Sequence, residues 1–160
     1  LSRNLTEGFQ GISFGIMDGL ITTLGVLTGL GIATDQTITA LGIIITGLGN
    51  SFANAAGIHV SQETETHHGR REVMKATIFG FISTFAVSVI LVIPLYLLSL
   101  HYAIYVDFFL AMMILIFLGA FVAKVGKRSY SIIIEYMAFA FIVLIISYLL
   151  GTAYKTYVFL

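Results

Sequence analysis

Five long apolar runs decide what this chain can become. They cover roughly residues 9–31, 37–60, 76–99, 104–125 and 131–154. Each has about the 20 residues that a helix needs to cross a bilayer core about 30 Å thick. Lipid offers a backbone no hydrogen-bond partner, so each run is expected to be an α-helix, which closes its own hydrogen bonds. A membrane β-barrel would show segments of about ten residues with alternating polarity, and none is present. The composition agrees, with 58% hydrophobic and only 10% charged residues, where a soluble domain carries about a quarter charged. The expectation is an all-α integral membrane protein. It has one transmembrane domain over residues 1–160, lies in the cell membrane with several passes, and has lipid as its main surroundings.

Other features close off alternatives. There are no cysteines, so neither a disulfide framework nor a thiolate metal site can form. The net charge of zero gives no general attraction to nucleic acid. The first apolar run is too long for a cleaved signal peptide and four more follow it. The chain begins at Leu1 rather than Met, which points to a trimmed start. No Ser-His-Asp set, phosphate loop or pair of catalytic acids is present, and no enzyme activity is expected.

Orientation follows from the placement of Lys and Arg, which favour cytoplasmic connections. Arg3 precedes the first span, Arg70, Arg71 and Lys75 follow the second, and Lys124, Lys127 and Arg128 follow the fourth. Only Lys155 lies on the other side. The N-terminus is therefore expected in the cytoplasm and the C-terminus outside. Tyr96, Tyr102, Tyr105, Tyr154 and Tyr157 stand where outer-interface anchors belong.

Spans 1 and 2 are rich in small residues. Gly11, Gly15 and Gly19 form two overlapping GxxxG steps, and Gly49, Ala53 and Gly57 repeat the spacing on span 2. Small residues let helices approach closely in lipid, where packing drives association. Spans 1 and 2 are expected to be the inner, functional pair, with spans 3 to 5 as lipid-facing support.

Polar groups inside the spans carry the functional signal. Asp18 lies about ten residues into span 1, roughly 15 Å deep at 1.5 Å per residue. An Asp at mid-bilayer costs about 2.5–3.5 kcal/mol on insertion scales, so such a group ordinarily faces a polar interior and marks an ion or proton path; the alternative is a helix-packing Asp bonded to an Asn or Thr across the bundle. Asn50 and Asn54 share a face of span 2, and Asn50 falls at the depth of Asp18. A carboxylate and two amides, with Thr22 and Thr23 nearby, make a plausible cage for a hard or borderline cation. Bonding of the amides only to each other or to backbone is the structural alternative. Glu7 is close to three turns before Asp18 and shares its face, near the cytoplasmic mouth; a solvated surface acid is the alternative. His59, Glu63, Glu65, His67, His68 and Glu72 crowd the second connection. His and carboxylate four residues apart can share a divalent metal, so His59, Glu63, Glu65, His67 and His68 form a candidate cytoplasmic collector, with an ordinary solvated surface as the alternative. Glu135 can snorkel to the interface or neutralise Lys127 or Arg128. Asp107 and His101 fall at the outer rim without an evident partner.

The run FGIMDGLITTLGVLTG at residues 14–29 resembles the FGxxDGLxTT signature in the first span of the vacuolar iron transporter family. GLGNSFANAAG in span 2 is similar to that family's Gly-Leu-Ala-Asn…Ala-Asp stretch. The resemblance implies a dimer of five-helix protomers that exports Fe²⁺, and often Mn²⁺, from the cytoplasm by proton antiport. The ion path would be lined by spans 1 and 2 around the dimer axis. Asp18 matches the family's first-span Asp. Asn54 stands where Asp is usual, and Ile58 where a Met ligand is usual if no gap is placed. Gln62 then holds the Glu position of the "GEY" motif, which His59 would face if a small gap is allowed. The acidic helical domain usual between spans 2 and 3 is replaced by about fifteen residues, so the chain resembles a short prokaryotic-type member.

The expected function is divalent-cation export by alternating access, with no cofactor beyond the transported metal and a homodimer as the working unit. The alternatives are a non-transporting membrane assembly or sensor module, and a transporter of another small cation.

Overall fold

The computed structural model describes residues 3–64 and 69–158. The chain is all helical, and its five helices are each long and apolar enough to span a membrane. They are α1 (Arg3–Ala33), α2 (Gln36–Glu63), α3 (Arg70–Leu97), α4 (Leu100–Gly126) and α5 (Ser131–Val158). Successive helices run antiparallel: Gly11, Gly15 and Gly19 of α1 meet Ala76, Gly80 and Thr84 of α3 in the same order, whereas α2 meets both helices in reverse. One end of the bundle therefore gathers the starts of α1, α3 and α5 with the ends of α2 and α4. Seven of the eight Lys and Arg residues belong to this basic end.

The helices outrun the apolar stretches. α3 begins at Arg70, so Arg70, Arg71 and Lys75 stand on a helix rather than in a connection. The Glu72 carboxylate accepts from the Gly69 N–H at 3.1 Å, and an acid in a first turn also suits the helix dipole. At the opposite end the α1–α2 turn is tightly fixed. Asp35 caps α2, accepting from the Thr37 and Ile38 N–H groups at 2.8 and 3.0 Å. The Gln36 amide donates to the carbonyls of Leu95 and Leu98 at the end of α3, which have no partner within their own helix.

α1 meets all four other helices, as an inner helix should, but α3 is the most enclosed, which corrects the expectation that span 3 is lipid-facing support and that span 2 shares the interior with span 1. α3 is sandwiched between α1 and α2, and buries Val73, Ala76, Gly80, Ser83, Thr84, Val87, Ser88, Leu91 and Leu95. The reason lies in the α1 glycines. A methyl group on Gly15 would lie 2.6 Å from the Gly80 carbonyl oxygen, and one on Gly19 would lie 2.8 Å from that of Thr84. The GxxxG face of α1 thus seats on α3, not on α2. Two apolar cores flank this seam. One joins Leu20, Leu24, Val87, Leu91, Ala111 and Leu115; the other joins Leu27, Ala40, Ile43, Val92, Leu95 and Ala103.

α5 is peripheral, burying only Ala140 and Gly151, as expected of a lipid-facing support. α2 has one uncovered face. Ile45, Leu48, Phe52 and Val60 are exposed along it, and a methyl group on Gly49 or Gly57 would meet nothing within 4 Å. Among the described residues these two glycines therefore pack no neighbour.

Because the α1–α3 approach leaves no space for a side chain, Gly15→Ala should destabilise the bundle by about 1–3 kcal/mol, the usual cost of overpacking. Melting in detergent measures this, and an unchanged transition would show that the helices are farther apart than described.

Candidate functional site

The helix register brings Asp18, Asn50 and Asn54 together. Asp18 lies on α1 beside the glycine face, and α2 crosses it antiparallel with both Asn side chains on one face, a turn apart. The side-chain amides of Asn50 and Asn54 both donate to Oδ2 of Asp18, the Asn54 bond measuring 2.6 Å. Asn50 also donates to Thr22 Oγ1 at 3.1 Å. Asn54 donates to Thr84 Oγ1 of α3 at 3.1 Å, and that hydroxyl donates to the Gly80 carbonyl at 2.9 Å. Three helices thus position one carboxylate.

The chemistry of this arrangement is specific. An ionised carboxylate only accepts, and two amide donors satisfy one of its oxygens. Among the described residues nothing donates to Oδ1, which remains open to a further partner. Asp18, Asn50 and Asn54 are each only half-buried, and the remaining exposure lies beside the uncovered face of α2.

A cavity of about 260 Å³ leads toward this cluster from the basic end. Its walls include Gln10, Ser61 and Gln62. Among the described residues the side-chain oxygen of Gln62 is buried without a hydrogen-bond partner. Phe14 and Ile58 also line it, one turn short of Asp18 and Asn54 respectively, so they stand between the cavity and the carboxylate. Larger clefts of about 490 and 520 Å³ flank α1 on its α4 and α5 sides. Their walls are mostly apolar, as suits acyl chains rather than ions.

At the basic end His59 Nε2 lies 3.2 Å from Glu63 Oε1, and His59 Nδ1 lies 3.3 Å from Thr77 Oγ1 of α3. The four-residue spacing does pair His59 with Glu63. Glu65, His67 and His68 lie outside the described residues, as does the side chain of Glu7. Among the described residues no three of His, Cys, Asp or Glu gather closely enough to hold a metal ion, and His59–Glu63 is the one close contact between a basic and an acidic side chain. Glu135 is exposed and makes no ion pair with Lys127 or Arg128.

Three features escaped the sequence reading. Thr84 joins the Asp18 cluster from α3. Thr23 meets not Asp18 but Ser88, at 3.0 Å. Asp107, expected at the outer rim, is completely enclosed, at 0% exposure. The hydroxyls Ser83, Thr84 and Ser88, at near-helical spacing in an otherwise apolar run, were the available signal for the first two.

No protein-family model matches the chain, and no solved structure matches it. An uncharacterized protein of Methanocaldococcus jannaschii is 24% identical over 176 residues, an alignment covering 94% of this chain and 92% of that protein. The similarity thus runs nearly end to end and includes the helices that build the site.

Hydrogen bonds to a charged partner contribute about 1.5–3 kcal/mol, and residues in one network couple. Asn54→Leu should therefore cost considerably more with Asp18 present than in an Asp18→Leu background. A double-mutant cycle by detergent or denaturant unfolding should return a coupling of about 1–3 kcal/mol. Additive effects would remove Asn54 from the site.

Proposed function

We propose that this protein exports a divalent cation of the Fe²⁺ or Mn²⁺ type from the cytoplasm, working as a homodimer with proton exchange. The carrying observation is the half-buried Asp18, held from α2 by the amides of Asn50 and Asn54 with one oxygen still open. The resemblance of residues 14–29 to the vacuolar iron transporter signature supports the same reading.

In this reading the basic end faces the cytoplasm, as its Lys and Arg content favours. The cation enters the cavity whose walls include Gln10, Ser61 and Gln62. His59 and Glu63, paired at the same end of the bundle, serve as a collector pair. The ion then passes Phe14 and Ile58 to reach Asp18. Amides that donate to a bare carboxylate can rotate and offer their carbonyl oxygens instead, so Asn50 and Asn54 serve both the empty and the loaded site. Carboxylate and amide oxygens suit hard and borderline cations. Protonation of Asp18 then weakens the site and releases the ion outward, and deprotonation resets it. The glycine face of α1 gives a smooth surface along which it can shift against α3.

A second copy completes the site. An Asp in contact with lipid is costly, and the exposed part of the cluster borders the free face of α2. Gly49, Ala53 and Gly57 permit close approach there, between Ile45, Phe52 and Val60. The lipid bilayer and a like protomer are then the partners, and the metal is substrate rather than cofactor.

Two measurements test this. In liposomes with an imposed pH gradient, Asp18→Asn should abolish Fe²⁺ and Mn²⁺ flux; transport at the wild-type rate would refute the role of Asp18. The chain has no native cysteine, so Ala53→Cys should give a disulfide-linked dimer on mild oxidation in membranes. A product that stays monomeric would place the interface elsewhere.

A further inference from the structure

Asp107 belongs to none of the groups described above. It lies on α4, with its side chain wholly enclosed and, among the described residues, neither oxygen hydrogen-bonded. Its neighbours one turn away on the same face are Ala103 and Ala111, both also at 0% exposure. Ala103 belongs to the core with Leu27 and Leu95, and Ala111 to the core with Leu24 and Leu91. The carboxyl is therefore inserted between two apolar cores, where α4 meets α1 and α3.

Charge accounting narrows its state. Burying an ionised carboxylate without a partner is far more costly than burying a neutral group. Among the described residues no cation compensates it: the one close contact between a basic and an acidic side chain is His59–Glu63. On the helices packed against α4, the charged and titratable side chains lie elsewhere. Asp18 of α1 is engaged by α2. Arg70, Arg71, Glu72 and Lys75 occupy the basic start of α3, and Tyr96 is exposed near its far end. On α5, Glu135, Tyr148, Tyr154, Lys155 and Tyr157 are exposed, and the half-buried Tyr136 lies toward the basic end. On α4 itself His101, Tyr102, Tyr105 and Lys124 are exposed.

Hydrogen-bond accounting points the same way. An ionised carboxylate only accepts, and only the first four N–H groups of a helix are spare. Asp107 sits beyond them on α4. A neutral acid, in contrast, has an O–H that can reach the carbonyl four residues back. The buried hydroxyls of this chain do the same: Ser51 donates to Gly47 at 2.6 Å, and Thr84 to Gly80 at 2.9 Å. No water-sized space touches the group, so a hydrated ion cannot reach it while the helices stay packed.

We propose that Asp107 is a proton-binding site, neutral while α4 is packed on α1 and α3, which ionises only when these helices part. The inference rests on burial and bonding, and does not depend on the transport reading. Its sign is fixed by linkage. The packed state holds a proton that the opened or unfolded state releases, so stability falls as pH rises above the ordinary carboxylate range. The fall ends where the packed state also loses its proton. One such proton changes the equilibrium by about tenfold per pH unit. Alkaline conditions therefore favour parting of α4.

Infrared spectroscopy of the full chain in detergent tests this. At neutral pH the wild type should show a protonated-carboxyl C=O stretch that Asp107→Asn and Asp107→Leu lack. Melting of the wild type should decline with rising pH relative to either variant. If neither variant folds, Asp18→Asn with ¹³C-labelled aspartate decides the question, since its remaining aspartates are Asp107 and the exposed Asp35; a ¹³C-shifted protonated band at neutral pH is then expected. Absence of that band, or identical melting-versus-pH profiles for wild type and a folded variant, would overturn the proposal. Loss of flux in Asp18→Asn leaves this result untouched, so the two readings fail separately.

Discussion

The structure turns on one carboxylate that two amides hold from a neighbouring helix. In a chain with so few charges, placing Asp18 inside a span requires a dedicated set of partners. Asn50 and Asn54 meet it because α1 and α2 cross antiparallel at matched depth. Thr22 and Thr84 in turn take the remaining amide protons. The same groups that stabilise the bare acid carry oxygens that can turn toward a cation, so the chemistry of the site follows from how it is stabilised.

That crossing depends on the glycine seam. Gly11, Gly15 and Gly19 bring α1 so near to α3 that backbone faces backbone. A side chain there would push α3 away and remove Thr84 from the cluster. The close approach also places Thr23 against Ser88, and leaves the apolar residues of α1 to fill two separate cores. Packing and site geometry are thus one constraint seen from two faces of the same helix.

Much of this was legible in the sequence. The five helices follow from run length, and the meeting of Asp18 with Asn50 follows from counting residues inward from the basic end. The four-residue spacing of His59 and Glu63 also gave a true contact. The central position of α3 was not legible. Its hydroxyls look ordinary in a membrane helix, where Ser and Thr can bond back to their own carbonyls anywhere. Asp107 was misplaced for a related reason. Counting gives depth along a helix but not facing, and α4 is apolar all round, so no stripe marks its inner side. The small residues of α2 were legible as a packing face, yet nothing in the sequence says that the described helices leave this face uncovered.

The tie between Gln36 and the end of α3 has a mechanical consequence. The α1–α2 hairpin is pinned at one end by an amide spanning two orphan carbonyls and by the Asp35 cap. Any swing of α2 must then pivot about that pin, with an amplitude proportional to distance from it. Thr39 would scarcely move, Asn50 and Asn54 would travel an intermediate distance, and His59 would sweep the widest arc. Such a lever displaces the basic end of α2 by more than it displaces the partners of the carboxylate.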